Sequence, residues 1–210
     1  MTFDTEFYFK NKPELIQNIF AEKRSNPDGY SALFLGESPD DDCSIRTMSY
    51  PILLTFIEST MVNEGRMFLH LRYATTKAIG LNQCHGFFDD HNSNYIMHNG
   101  VIKNPKNLPV DSLRLADFLN ADDAFDTLID EGESYANVFW VNLLDRSYSV
   151  FRLQTGRLYT DGKGNYSTAP FSEIFEAVKE YTIKYYDQFS LVDYDEFADD
   201  VYAPLKLKFR

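Results

Sequence analysis

The chain opens with an alternation of side-chain character that predicts a β-strand. In TFDTEFYF (residues 2–9), Phe and Thr alternate with acidic residues and Tyr, and this period of two is typical of a half-buried strand. Asn11 is then predicted to cap a helix that carries Pro13 in its first turn and ends near Arg24. A turn over residues 25–29 (SNPDG) leads into the apolar strand YSALFLG.

Similar patterns predict further elements along the chain. Apolar runs or alternations indicate strands at residues 44–50, 66–75, 134–144, 147–154 and 157–161, the last three as an antiparallel meander. Helices are predicted from Pro51 onward, through residues 110–132 with Asp111 or Ser112 as N-cap, and over residues 170–189. Residues 76–93 show no clear period, so we expect a long surface loop, which is usually functional or disordered.

One short apolar run contains a polar interruption. In YIMHNGVI (residues 95–102), the apolar character stops at His98-Asn99-Gly100 and then resumes. This pattern predicts two short strand pieces around a sharp break. Neither of the two interpretations of the histidines considered below, a metal site or separate histidines that hydrogen-bond loop backbone, accounts for the Asn-Gly pair.

Composition indicates one sheet-rich domain. A chain of 210 residues with 44% apolar and 25% charged content has enough material for one sizeable core. The 18 Phe and 14 Tyr residues favour strands and two-sided cores over a simple helical bundle. We therefore expect a single domain over residues 1–210, with an acidic extension at about residues 187–210.

Charge and hydropathy exclude several classes of partner. The net charge of −12 argues against nucleic acid as a ligand, because phosphate binding needs a basic surface. No run approaches the ~18 apolar residues of a membrane span, and the chain start lacks a signal-peptide pattern. The expected location is the cytoplasm, where Cys43 and Cys84 would stay reduced.

The histidines are concentrated in one part of the chain. His70, His85, His91 and His98 fall within 29 consecutive residues that also contain Cys84. A metal site is one interpretation, but no pair has the spacing that places two ligands on one helical face. The alternative, separate histidines that hydrogen-bond loop backbone, suits each of them. We expect no metal ion and no cofactor.

Three motifs follow one another in the middle of the chain: FLHLRYAT at residues 68–75, LNQCHGF at 81–87 and YIMHNGVI at 95–102. They resemble the His-x-Arg-x-Ala-Thr, Asn-x-x-His and His-Asn-Gly signatures of one enzyme family, the class II glutamine amidotransferases. NPDGYSALFL resembles its Arg-Gly-Pro-Asp-Gly turn and following strand, and VDSLRLADFL its Asp-Ser/Thr helix start. The resemblance spans roughly residues 1–168.

The resemblance implies a fold and an oxyanion site. The fold would be α+β, the four-layer αββα sandwich of N-terminal-nucleophile hydrolases, with two antiparallel sheets face to face and helices outside. The Asn99 amide and the Gly100 N–H would then converge on a developing oxyanion. His98, directly before them, would lie at the substrate.

The resemblance also implies residues for the amino-acid end of the substrate. Arg72 would bind the α-carboxylate of glutamine through its planar guanidinium. Asp111 would hold the α-ammonium, and Thr75 and Thr76 would line the same end. Taken alone, Arg72 could be an ordinary ion-pair partner and Asp111 only a helix cap.

The chain departs from the family at the nucleophile. Class II enzymes carry Cys after the initiator Met, and this chain carries Thr2 at that position. A threonine hydroxyl with its own α-amine as base is a known type of N-terminal nucleophile, although a thiol attacks more readily. Cys84 beside His85 is a second candidate, weakened because adjacent residues of an extended segment point to opposite sides.

Three functions remain open at this point. The chain could hydrolyse glutamine to glutamate and ammonia for a separate acceptor synthase. It could instead be a catalytically degenerate amidotransferase fold that serves as a binding or regulatory module for glutamine, a related amino acid or another protein. Finally, the acidic segment DYDEFADD at residues 193–200 could contact a basic protein partner.

Overall fold

Two antiparallel β-sheets and three α-helices make up the described part of this computed structural model. It describes residues 1–74, 80–89, 93–103, 111–132, 134–154, 156–171, 174–187 and 190–192, with backbone alone at 111, 112 and 190–192. Within these ranges the helices are α1 (Thr5–Ser25), α2 (Tyr50–Thr60) and α3 (Ala121–Glu131). The fold is therefore α+β, and the sheets pack face to face as a sandwich.

The first sheet contains the start of the chain. Its strand order is β11-β9-β10-β1-β4-β2-β3. The strands are β1 (Thr2–Asp4), β2 (Tyr30–Gly36), β3 (Cys43–Thr47), β4 (Gly65–Leu71), β9 (Tyr159–Thr160), β10 (Tyr166–Ser167) and β11 (Glu176–Ala177). We call it sheet A. Strand β1 is thus an inner strand, paired with β4 on one side and β10 on the other.

The second sheet, sheet B, contains the His-Asn-Gly segment. Its order is β13-β12-β8-β7-β6-β5. The strands are β5 (Phe87–Phe88), β6 (Asn94–Val101), β7 (Tyr135–Asn142), β8 (Ser147–Arg152), β12 (Thr182–Asp187) and β13 (Ser190–Val192). Pairing places Asn99 of β6 opposite Asn137 of β7, which lies opposite Arg152 of β8.

Three apolar clusters fill the space around and between the sheets. Side chains of α1 and α2 cover one face of sheet A, and Phe68, Met97 and Phe139 belong to the cluster between the sheets. Helix α3 covers the outer face of sheet B, where Trp140 is buried and donates from Nε1 to Asn94 Oδ1 at 3.0 Å. No helix of the described residues is long and apolar enough to cross a bilayer.

The predicted strand over residues 2–9 is mostly wrong. Only Thr2–Asp4 is extended, and α1 begins at Thr5. Asp4 is the N-cap, its side chain accepting from Phe7 N at 2.7 Å. Pro13 lies inside the helix rather than in its first turn. The helix N-cap at Asp4 therefore decides the structure of residues 5–9, although their side chains alternate as in a strand.

The predicted helix over residues 170–189 is also wrong. Glu176–Ala177 forms β11, and Thr182–Asp187 forms β12, which pairs with β8 along its whole length. The beginning of the predicted helix at residues 110–132 is a separate 3₁₀-helix, Asp111–Asp117, and Asn120 caps α3. The predicted meander of three strands is wrong in its last member, because β9 joins sheet A.

The predicted break at His98-Asn99-Gly100 is absent. Strand β6 continues from Asn94 to Val101 without interruption, with Gly100 at a φ of +130°. Part of the predicted surface loop is also buried, since Cys84 and Phe87 are enclosed. Residues 75–79 and 90–92 of that segment lie outside the described part of the chain.

Candidate active site

Strand β1 brings the start of the chain to one end of the space between the sheets. Thr2 pairs with Phe68 of β4 and Tyr166 of β10. Met1 exchanges two backbone hydrogen bonds with Leu69, its amine donating to Leu69 O at 2.9 Å and its carbonyl accepting from Leu69 N at 2.8 Å. The pairing of β1 with β4 therefore continues to Met1.

The side chain of Thr2 faces the space between the sheets. Phe3 belongs to the cluster under α1 and α2, so Thr2 points the opposite way, as its partner Phe68 does. Thr2 is only 1% exposed, and its Oγ1 has no hydrogen-bond partner among the described residues. A buried hydroxyl without a partner is uncommon and needs an explanation.

A small cavity of about 40 Å³ lies at the chain start. It is lined by Met1, by Leu69 and His70 of β4, and by Asn99 of β6, among others. The Met1 amine is enclosed, and burial lowers its pKa from 8.0 to about 5, while the Glu22 carboxylate acts in the opposite direction. The amine is therefore a neutral base near pH 7. We call this space the inner cavity.

A larger cavity of about 350 Å³ adjoins the inner one. Both are lined by Glu22, Asn26, Asn99 and Thr168. The outer cavity adds a polar wall that comprises Asn137, Gly156 and Arg157. The two cavities together are called the cleft below. Asn99, which lines both, stands at their junction.

Gly100 has a conformation that other residues rarely adopt. Its φ is +130°, and a Cβ there would lie 2.7 Å from Ala136 Cα of the neighbouring strand. Glycine is therefore required by the close approach of β7, in addition to any approach of a substrate. Gly100 lines the outer cavity next to Asn99.

Three histidines stack beside the inner cavity. The ring centroids of His70 and His85 are 4.7 Å apart, and those of His85 and His98 are 4.6 Å apart. His85 Nδ1 donates to the His98 carbonyl at 3.0 Å, and His98 Nε2 donates to the Gly100 carbonyl at 3.3 Å. Burial, together with His85 and His98, lowers the pKa of His70 well below its usual value.

The histidine stack does not have the geometry of a metal site. Parallel or tilted rings present their faces to each other, whereas metal ligands must converge their nitrogens on one point. Within the described residues, no group of three His, Cys, Asp or Glu side chains is placed to hold a metal ion. The stack instead fixes the backbone of His98 and Gly100 on either side of Asn99.

The remaining residues predicted for the site are not all placed in the cleft. Arg72 is buried but lines neither cavity. The residue before it, Leu71, lines the inner cavity. Arg72 lies close enough to Cys84 to lower the pKa of that thiol, although burial raises it more. Thr75 and Thr76 lie outside the described residues, and for Asp111 the structure describes the backbone alone, at the start of a 3₁₀-helix.

Cys84, the second candidate nucleophile, lies apart from the chain start. It is fully buried beside Met48, with the two sulfur atoms 3.8 Å apart, and it lines neither cavity. Its neighbour His85 joins the histidine stack instead. The two adjacent side chains do not form a pair in the cleft.

Several residues of the cleft were not predicted. Glu22 and Asn26 lie at the end of α1, and Asn26 Nδ2 donates to Glu22 Oε2 at 3.0 Å. Asn137 and Arg157 come from the second half of the chain. A polar residue within the apolar strand ANVFWV was a usable signal for Asn137, since a strand between two layers rarely carries an amide without a reason.

Comparisons with known proteins give a likeness among solved structures alone. No family model matches the chain, and no curated protein matches it. Among solved structures, the chain is similar to a glutamine aminotransferase class-II domain protein from Silicibacter pomeroyi, with 12% identity and a TM-score of 0.48 over 79% of this chain and 89% of that one. A likeness at this level does not assign a family or a function.

Proposed function

We propose that this chain is a class II glutamine amidotransferase-like domain with the four-layer αββα N-terminal-nucleophile sandwich. After removal of Met1, it hydrolyses glutamine to glutamate and ammonia, and a separate enzyme uses the ammonia. One observation carries the proposal: the first residue of the chain lines the same cavity as Asn99. A small residue at position 2 permits removal of Met1, which would place the new α-amine beside the Thr2 hydroxyl.

The reaction follows from these groups. The Thr2 hydroxyl attacks the γ-carbonyl carbon of glutamine, and its proton passes to the α-amine. The Asn99 amide and the Gly100 N–H donate to the oxyanion. The α-ammonium of Thr2 then gives this proton to the side-chain nitrogen of glutamine. The C–N bond of the carboxamide breaks, and ammonia leaves. Water then attacks the ester and releases glutamate, which regenerates Thr2.

The remaining predicted residues hold the substrate in this proposal. His98 positions the Asn99-Gly100 segment through its bond to the Gly100 carbonyl. Arg72 binds the α-carboxylate, Asp111 binds the α-ammonium, and Thr75 with Thr76 lines that end of the pocket. Arg72 directly follows Leu71, a residue of the inner cavity.

A second candidate function is a binding module that retains Met1. The two backbone hydrogen bonds between Met1 and Leu69 favour it, because they hold Met1 in the sheet and keep Thr2 Oγ1 enclosed. In that form the chain would bind glutamine or a related amino acid without hydrolysing it.

Intact mass and ammonia release test the proposal together. We expect a mass that corresponds to a chain beginning at Thr2, and ammonia release from glutamine that Thr2→Ala abolishes. Asn99→Ala should lower kcat about 100- to 1000-fold. Thr2→Cys should raise the rate because a thiol is the better nucleophile. The control Thr55→Ala changes an exposed threonine of α2 and should have no effect.

Retention of Met1 would contradict the catalytic proposal. Full activity in Thr2→Ala would contradict it as well. If Met1 is retained and glutamine raises the Tm without releasing ammonia, the binding module is the correct function.

A further inference from the structure

We propose that Asn137 recognises the N–H side of the substrate carboxamide and so makes the cleft selective for amides over esters and acids. This inference rests on the proposed function, because it takes Asn99 and Gly100 as the partners of the carbonyl oxygen. It assigns a role to a residue that no sequence motif indicated.

Asn137 is buried at the wall of the cleft. It lies on β7 directly opposite Asn99, and alternation with Phe139 and Val141 of the central cluster turns it toward the space between the sheets. It is 1% exposed and lines the outer cavity. The two amides therefore stand side by side on neighbouring strands, at the end of an otherwise apolar face.

The orientation of the Asn137 amide is fixed. Its Nδ2 donates to the Arg157 carbonyl at 2.8 Å, and a flipped amide would instead set two acceptor oxygens against each other. Gly156 packs against the amide, since a Cβ at that position would lie 2.8 Å from Oδ1. Oδ1 itself is buried and has no hydrogen-bond partner among the described residues.

An enclosed acceptor beside two donors matches one chemical group. A primary carboxamide presents a carbonyl oxygen that can accept and an NH₂ that can donate. With its oxygen on Asn99 and Gly100, its NH₂ is directed to the acceptor on the adjacent strand. An ester has no N–H to donate, and the carboxylate of the product would place an oxygen against Oδ1. Asn137 thus favours the substrate over the product.

The test compares glutamine with glutamic acid γ-methyl ester, which lacks the N–H. In Asn137→Leu, kcat/KM for glutamine should fall about three- to tenfold, the effect of losing one neutral hydrogen bond, while kcat/KM for the ester stays unchanged. An equal fall for both substrates would overturn the inference and leave the proposed function standing.

A second variant separates recognition from structure. Asn137→Asp keeps an acceptor toward the cleft but loses the donor to the Arg157 carbonyl, so it should retain more of the preference for glutamine than Asn137→Leu does. If both variants lose the preference equally, the residue acts only by holding the Arg157 loop, and the inference is wrong. The control Asn142→Asp makes the same change at the far end of β7 and should leave the preference intact.

Binding supplies a readout that is independent of turnover. If the parent protein hydrolyses neither compound, the inference still predicts that glutamine raises the Tm more than the ester does, and that Asn137→Leu removes this difference. That result would refute catalysis and support the role of Asn137. Equal stabilisation by both compounds, or stabilisation by neither, would refute the role of Asn137.

Discussion

The two ends of strand β1 differ in whether the buried polar groups around them have hydrogen-bond partners. At the Asp4 end, Arg66 is fully buried, with Nη1 donating to Gly164 O at 2.7 Å and Nη2 donating to Asp4 Oδ2 at 3.2 Å. Asn165 Oδ1 accepts from Asp4 N at 3.0 Å, and the guanidinium lies over the Tyr148 ring. Among the described residues, only Nε of this guanidinium has no partner.

At the Met1 end, polar atoms are enclosed without partners. Thr2 Oγ1 and His70 Nδ1 are buried there, as is Asn137 Oδ1 at the adjoining outer cavity, and none of the three has a hydrogen bond within the described part of the chain. Such atoms lower stability unless a ligand or water satisfies them. Within the described residues, the buried polar groups at the Asp4 end are thus mostly paired, whereas several at the Met1 end are not.

Removing Arg66 should produce the largest loss of stability. Arg66→Ala leaves Asp4 without its ion-pair partner and empties a fully buried site, so we expect about 3 kcal/mol of destabilisation or more, a fall in Tm of about 6–12 °C. Thermal melts measure it. The control Arg157→Ala, an exposed arginine, should change stability by less than about 0.5 kcal/mol. Similar melts for both variants would remove the contrast between the two ends.

Gly100→Ala should have the next largest effect on stability. The added Cβ would meet the backbone of β7, and the φ of +130° would be strained, so we expect about 2–3 kcal/mol of destabilisation together with loss of ammonia release. The control Gly132→Ala has a φ of +66° and no close neighbour and should cost about 1 kcal/mol without changing activity. Wild-type behaviour of Gly100→Ala would refute this account of β6.

The pH dependence of stability tests the enclosed ionisable groups at the Met1 end of β1. Burial lowers the pKa of both His70 and the Met1 amine, so the unfolded chain binds protons at a higher pH than the folded chain does. Stability is therefore complete above about pH 8 and is lost as the pH falls toward 5. Each group contributes at most about 1.4 kcal/mol per pH unit.

Melts at pH 8, 6.5 and 5 measure this dependence. His70→Phe keeps an aromatic ring against His85 but cannot bind a proton, so it should lose less stability than the parent between pH 6.5 and 5. Removal of Met1 should change the loss of stability between pH 8 and 6.5, because the α-amine of Thr2 then replaces that of Met1. Identical pH profiles for parent and variant would show that His70 is not held neutral by the fold.

The sequence supported the α+β sandwich better than it supported individual elements. The strands at β2, β3, β4, β7 and β8 and the helix after Tyr50 carry local patterns that agree with their tertiary environment. Thr182–Asp187 does not: the amphipathic spacing of residues 170–189 predicts a helix, yet pairing with all six residues of β8 makes β12 a strand. Local periodicity cannot register a partner strand from another part of the chain.

The residues of the candidate site likewise differ in whether the sequence could predict them. Asn99, Gly100 and His98 were predicted because they are consecutive and match the His-Asn-Gly motif of the family that the sequence resembles. Asn137 was not, because its position beside Asn99 depends on the register of β6 with β7. The unsatisfied state of Oδ1 depends further on the Arg157 loop. Neither relation is visible in a linear sequence.

The placement of Trp140 makes the two halves of the sandwich optically distinct. It is the only tryptophan of the chain, and it is buried on the outer face of sheet B under α3. Its fluorescence, excited selectively over that of tyrosine, therefore reports the environment of that layer. Unfolding followed by Trp140 fluorescence and by far-UV circular dichroism would show whether the layer that carries Asn99 separates before the rest of the sandwich.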